Sequence, residues 1–134
     1  MKYIKYNNNP KNRNTTDCVV RAISLALDKS WEDVYLSMVN FGLKQGLVFN
    51  DKRNVKKYLE KYLYLQAMPM PKRKDNTRYT VEEFADELAE KNTIYIVEVA
   101  KHHLTIIKDK DLNDIWDCSK KSVGNYWIVN RKER

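Results

Sequence analysis

Thr93-Ile94-Tyr95-Ile96-Val97-Glu98-Val99 is the stretch on which the fold turns, because hydrophobic periodicity changes there from about 3.6 to 2 residues. Upstream, Thr80-Val81-Glu82-Glu83 has the spacing of a capping box and opens a helix with Phe84 and Leu88 facing inward. Downstream, His103–Lys108, Leu112–Asp117 and Val123–Val129 alternate as strands, with Asp109-Lys110-Asp111 as a hairpin-like connection. Helices therefore come first and an antiparallel sheet second, the pattern of an α+β domain.

Three further helices are expected before residue 80. Asp17 can cap a helix running to about Leu27, on which Val19, Ala22, Ile23 and Ala26 mark a buried stripe. Ser30-Trp31-Glu32-Asp33 resembles a capping box with Asp in the usual Glu position, and its helix runs to about Lys44, loosened by Gly42 and Gly46. Asn50 or Asp51 can start a third, through Val55, Tyr58, Leu59 and Tyr62. Leu63 to Met68 suits a short strand that Pro69 and Pro71 stop, and residues 72–78 form a basic loop. Residues 1–16 read as an extended arm in which Tyr3, Ile4 and Tyr6 could add one short strand.

At 134 residues the chain is expected to form one domain, residues 1–134, with one core. No apolar run approaches the ~20 residues of a membrane helix, and the N-terminus has no apolar secretory stretch, so the cytoplasm is the expected location. Two cysteines are too few for a disulfide framework and are expected as thiols. Three glycines exclude a glycine-rich phosphate loop. The net charge of +7 favours an acidic partner or surface, nucleic acid included.

Chemistry is concentrated in three places. Cys18 falls in the first turn of a helix, where the dipole favours an anion. His103 lies on a strand, and Asp117 ends the next one. A thiol, an imidazole and a carboxylate are the parts needed to form and use a thiolate. Alternation lets only one of His102 and His103 face such a site, and only one of Asp117 and Cys118. His103 and Asp117 are the choice, with His102 facing solvent or supporting the site from behind, Cys118 buried on the opposite face and Trp116 turned away. Taken singly, Cys18 would be a small core residue and His103 a satisfied structural histidine. It is their order and placement together that point to catalysis.

That order resembles the papain-like cysteine peptidases. Asp17-Cys18-Val19-Val20-Arg21-Ala22-Ile23 is similar to the Asp-Cys-Gly-x-Ala-x-Leu type of segment in bacteriocin-leader-cleaving peptidases of that clan, and the His-to-Asp interval is also similar. The Asp-Cys-Val-Val-Arg-Ala and His-Leu-Thr…Trp-Asp-Cys segments also resemble small proteins of Firmicutes and their phages. The resemblance covers the helix around Cys18 and residues 94–128. It implies a papain-like fold and hydrolysis of an amide, peptide or isopeptide bond in a peptide or protein substrate, without a cofactor. It also implies an oxyanion donor about six residues before the cysteine, where Asn12 stands in place of the usual Gln, with Asn14 an equal contender. Val19 replaces the usual Gly after the cysteine.

Three other uses fit parts of the sequence. Cys18, His102 or His103, Asp117 and Cys118 could offer zinc ligands, although no short Cys-x-x-Cys or His-x-x-x-His pair is present. Lys52, Arg53, Lys56, Lys57 and Lys61 on one helix, followed by Lys72, Arg73 and Lys74, could contact nucleic acid, or form a solvated lysine face. The scaffold could equally serve a bacterial or phage interaction or inhibitor protein without using the chemistry.

Overall fold

The computed structural model describes residues 1–129, so the last five residues of the expected domain lie outside the described residues. The architecture is mixed α+β, with four helices and one six-stranded sheet. Helices α1 (Cys18–Leu27), α2 (Trp31–Gln45) and α3 (Lys52–Lys57) precede α4 (Val81–Glu83), and α3 and α4 each continue into a π-helical turn, Tyr58–Tyr62 and Phe84–Leu88. The strands are β1 (Tyr3–Lys5), β2 (Gln66–Met68), β3 (Ile94–Val99), β4 (His103–Lys108), β5 (Asp111–Asp114) and β6 (Val123–Val129).

The helix starts follow from their capping residues. Ser30 Oγ accepts the Asp33 N–H at 3.1 Å, and Asp51 Oδ1 accepts the Arg53 N–H at 2.9 Å. Thr80 and Glu83 form the complete reciprocal box. Helix α2 ends where Gly46 takes a left-handed φ of 72°, a conformation open to glycine at no steric cost. Asp17 departs from expectation. It stands at the N-cap of α1 by position, but its side chain caps no backbone N–H, because the carboxylate is committed to other partners described below.

The sheet order is β1-β5-β4-β3-β6-β2. The expected antiparallel sheet forms its centre, but the whole is mixed, because the arm strand β1 adds parallel to β5. At the other edge β2 pairs antiparallel with β6. Helices cover both faces. Ile94, Ile96, Leu104 and Ile106 meet Val20, Ile23 and Ala26 of α1 and Val34 and Met38 of α2. Tyr95, Val97, Val99 and Ile107 meet Val81, Phe84 and Ala85. A central strand buried on both sides reads as an unbroken apolar run, as Ile94-Tyr95-Ile96-Val97 does. No helix among the described residues is long and apolar enough to cross a membrane.

Helix α2 passes closest to its surroundings at Gly42, where a Cβ would stand 2.6 Å from the Leu47 carbonyl oxygen and 3.2 Å from Asn54 Nδ2. Gly42→Ala should therefore lose stability, by about 1–3 kcal/mol of overpacking, despite the better helix propensity of Ala. Urea unfolding of the variant beside the wild type measures this, and a gain in stability would contradict the packing.

Candidate active site

Strand β4 outruns β5. The β4–β5 ladder pairs Lys108 with Asp111, Ile107 with Leu112 and Ile106 with Asn113. Continued by one step, the register sets Asp114 opposite Thr105. Beyond that point Leu104 and His103 have no partner on β5, and the N-terminus of α1 occupies the gap. The Cys18 sulfur lies 4.0 Å from the His102 carbonyl oxygen, and the neighbouring Leu104 backbone favours its ionised form.

Cys18 and His103, separated by most of the chain, thus meet as expected. Their side chains lie close enough for each to shift the ionisation of the other. His103 Nε2 is engaged by Asp114 Oδ2 at 2.6 Å, which leaves Nδ1 as the ring nitrogen free to serve the thiol. Burial works against ionising both groups. On the thiol, the bonds to His103 and Leu104 and the charges of His103 and Arg21 outweigh it, and the pKa falls below 9.0. On the ring, burial is again outweighed, by the bonds to Asp114, Cys118 and Cys18 and the charge of Asp114, and the pKa rises to about 11. Both directions favour a thiolate–imidazolium pair.

The carboxylate is not the expected one. Asp117 is exposed and accepts the Ser119 N–H at 3.0 Å, so it does not hold the histidine. The cause is where β5 stops. The sequence suggests a strand over Leu112–Asp117, but the ladder ends at Asp114, and Ile115, Trp116 and Asp117 leave the sheet. Alternation no longer applies to them. Trp116, expected to turn away, instead lies 5.1 Å from the His103 ring, centroid to centroid. The signal that could have found Asp114 is its place one register step past the Ile106–Asn113 pair. There its Oδ2 also accepts the Thr105 hydroxyl at 2.5 Å.

Asp114 is 4% exposed and well satisfied. Its Oδ1 accepts the Ile115 N–H at 2.7 Å and lies 3.7 Å from Arg21 Nη2. Burial raises its pKa, but the bond and charge of His103, with Thr105 and Ile115, outweigh this and hold it below 3.8. Arg21 Nη1 donates to Asp17 Oδ1. Asp17 Oδ2 in turn accepts Trp31 Nε1 at 2.8 Å and Asn9 Nδ2 at 3.1 Å. Cys118 is fully buried, as expected, but not on the face away from the site: its sulfur lies 3.9 Å from Asp114 Oδ2 and groups with the His103 ring.

Cys18 and His103 open onto a cleft of about 660 Å³. Trp116 and Trp127 line it, the latter fixed by donating Nε1 to Glu60 at 3.0 Å. Of the two oxyanion candidates, Asn14 lines the cleft. Asn12 lies in a left-handed turn with φ 51°, its N–H bonded to the Asn9 carbonyl at 2.8 Å, and is not among the cleft-lining residues.

The basic residues divide. Lys52 and Lys56 line the cleft. Arg53 pairs with Asp51, Lys56 with Glu60, and Lys57 Nζ lies 3.4 Å from Gln45 Oε1. Arg73 is held by Glu83 and Glu87 and lies 4.1 Å over the Tyr79 ring. Lys61, Lys72 and Lys74 are exposed. The run that reads as one basic surface is therefore interrupted by internal ion pairs.

Of the expected zinc donors, Asp117 stands apart. His103, Asp114 and Cys118 bring a nitrogen, an oxygen and a sulfur within 4.8 Å of one another, but both Asp114 oxygens already accept hydrogen bonds. That is the geometry of a closed hydrogen-bonded cluster rather than of an open set of donors awaiting a cation.

The Asp114–His103 pair sets a pH window. Asp114 is held low, so its stabilising effect is present above about pH 4 and is lost as pH falls through its folded pKa. His103 is held high, so its effect is complete below about pH 6.5 and is lost as pH rises toward 11. Asp114→Asn should cost roughly 1.5–3 kcal/mol between these limits and less on either side. Asp117→Asn should be near neutral throughout. Urea unfolding from pH 3 to 9 measures both, and a larger loss at Asp117 would reverse the assignment.

Comparison of the chain with family models, with curated proteins and with solved structures finds no match.

Proposed function

We propose that this protein is a cysteine hydrolase of papain-like architecture, cleaving an amide, peptide or isopeptide bond with Cys18, His103 and Asp114. The observation that carries the reading is the 2.6 Å bond from His103 to a buried carboxylate, with the same ring coupled to a thiol at the first turn of a helix. The order of elements supports it too: a cysteine helix packed on the sheet, a histidine strand, then a carboxylate on the next strand.

In this mechanism the Cys18 proton resides on His103 before substrate binds. The thiolate attacks the carbonyl carbon, and the electron pair of the C=O bond moves to oxygen. The Cys18 backbone N–H, free at the start of α1, and the Asn14 amide are the donors available to that oxyanion. As the C–N bond breaks, His103 gives its proton to the leaving amine, and an acyl thioester remains. Water then attacks the thioester, its proton passing to His103. The C–S bond breaks and the acid leaves. Asp114 holds the ring through both halves. Trp116 and Trp127 give the cleft apolar walls. Lys52 and Lys101 line it against one acid, Glu98, while Lys56 is paired with Glu60, which favours an acyl donor with acidic residues over a basic one.

At pH 6, Cys18 should react with iodoacetamide at least ~10-fold faster than an ordinary thiol, while buried Cys118 stays unlabelled. Peptide mapping by mass spectrometry separates the two sites. On a panel of fluorogenic peptide amides, those with Asp or Glu near the scissile bond should turn over faster than their Lys counterparts. Cys18→Ala should abolish turnover, and His103→Ala should lower it by roughly 10²–10⁴-fold. Hydrolysis that survives Cys18→Ala would end this reading.

A further inference from the structure

The face of α1 that packs on the sheet is apolar at Val20, Ile23 and Ala26. Arg21 is a charged residue within the buried run Val20–Ser24 and is 5% exposed. A buried ion pair is a poor stabiliser, because desolvation consumes most of the Coulombic gain, and well-packed apolar residues commonly serve as well or better. Arg21 stands one turn after Cys18 and spans two buried carboxylates. Nη1 donates to Asp17, and Nη2 lies 3.7 Å from Asp114 Oδ1. Asp17 is anchored on its far side by Asn9 of the arm and by Trp31 at the start of α2. The result is a chain of alternating charge: Asp17, Arg21, Asp114, His103, Cys18.

Resting on the reading above, we propose that Arg21 is a positioning residue for the reaction. Fixed by Asp17, its guanidinium orients the Asp114 carboxylate toward His103 and supplies a permanent positive charge beside the Cys18 thiolate. Without it the cluster would hold two carboxylates and a thiolate against a single imidazolium. That excess of negative charge would favour protonating the carboxylate or the thiolate, and either change dissolves the ion pair. The carbon skeleton of Arg21 contributes packing, but the catalytic effect lies in its charge.

The other charged and titratable groups on the cleft side are Lys52 and Lys56 of α3, the latter paired with Glu60, Glu98 of β3, and Lys101 and His102 in the turn before β4, and from the arm Tyr3 and Tyr6 face Asp114 and Arg21. Behind the ring is Cys118. All of these are unchanged in the variants that test the proposal.

The test is the pH dependence of Cys18 alkylation by iodoacetamide, site-resolved by mass spectrometry, in the full chain. Wild type is compared with Arg21→Lys, Arg21→Met and Asp17→Asn/Arg21→Met, with thermal unfolding recorded for each. In Arg21→Met the acidic limb of the profile should move up by about one pH unit, roughly tenfold less alkylation at low pH, as expected when one nearby charge is removed. Arg21→Lys keeps the charge and should restore most of the wild-type limb. A purely structural role would not order the variants by charge. If the carboxylates left by Arg21→Met prevent folding, the double variant, which also removes the Asp17 charge, should fold and show a smaller shift in the same direction, because Asp114 and the thiolate still lose the guanidinium beside them. A folded Arg21→Met or double variant with the wild-type limb overturns the proposal. A wild-type profile with the limb of an ordinary thiol would instead overturn the cysteine-hydrolase reading, so the two failures are distinguishable.

Discussion

The contact between Asp114 and His103 ties the last residue of one strand to the first residue of its neighbour, at the point where their ladder has ended. Several features of the fold converge on it. Strand β5 must stop early so that a carboxylate stands at its end. Strand β4 must continue so that His103 projects past it. Helix α1 must then enter the gap with its N-terminus, bringing Cys18 against the exposed edge of β4. Thr105 and the Ile115 N–H hold the carboxylate in place, so the ring it engages has little freedom to turn.

The N-terminal arm belongs to the same construction. Strand β1 runs parallel beside β5, pairing Lys5 with Asp114, and Tyr3 donates its hydroxyl to the Asp114 carbonyl at 3.1 Å. Farther along, Asn9 reaches Asp17. The arm therefore buttresses the carboxylate strand at one point and the Cys18 helix at another. Burial makes such polar connections consequential, since each group removed from water must find a partner within the protein.

A good part of this was legible in the sequence. The four helices, most of their caps and the strands of the sheet centre follow from spacing, because backbone propensity and amphipathic pattern are local properties. Cys18 was legible because a thiol just after an N-cap position stands out, and His103 because alternation separates it from His102. The partition of the basic residues was not. Whether Arg73 is free depends on Glu83 and Glu87, which a helix starting eight residues later brings back to it.

The sequence by itself determined that helices precede the central strands of the sheet, and that a thiol lies in the helical part and an imidazole in the strands. Only the tertiary structure decided which aspartate completes the group. Asp114 and Asp117 lie three residues apart and are chemically identical. The choice between them rests on where β5 stops pairing with β4, and that is set by non-local hydrogen bonds and by α1 filling the space beyond. The role of Asp17 was decided in the same way: a local reading makes it a helix cap, and the fold gives its carboxylate to Arg21 because the burial of that guanidinium demands a counter-charge.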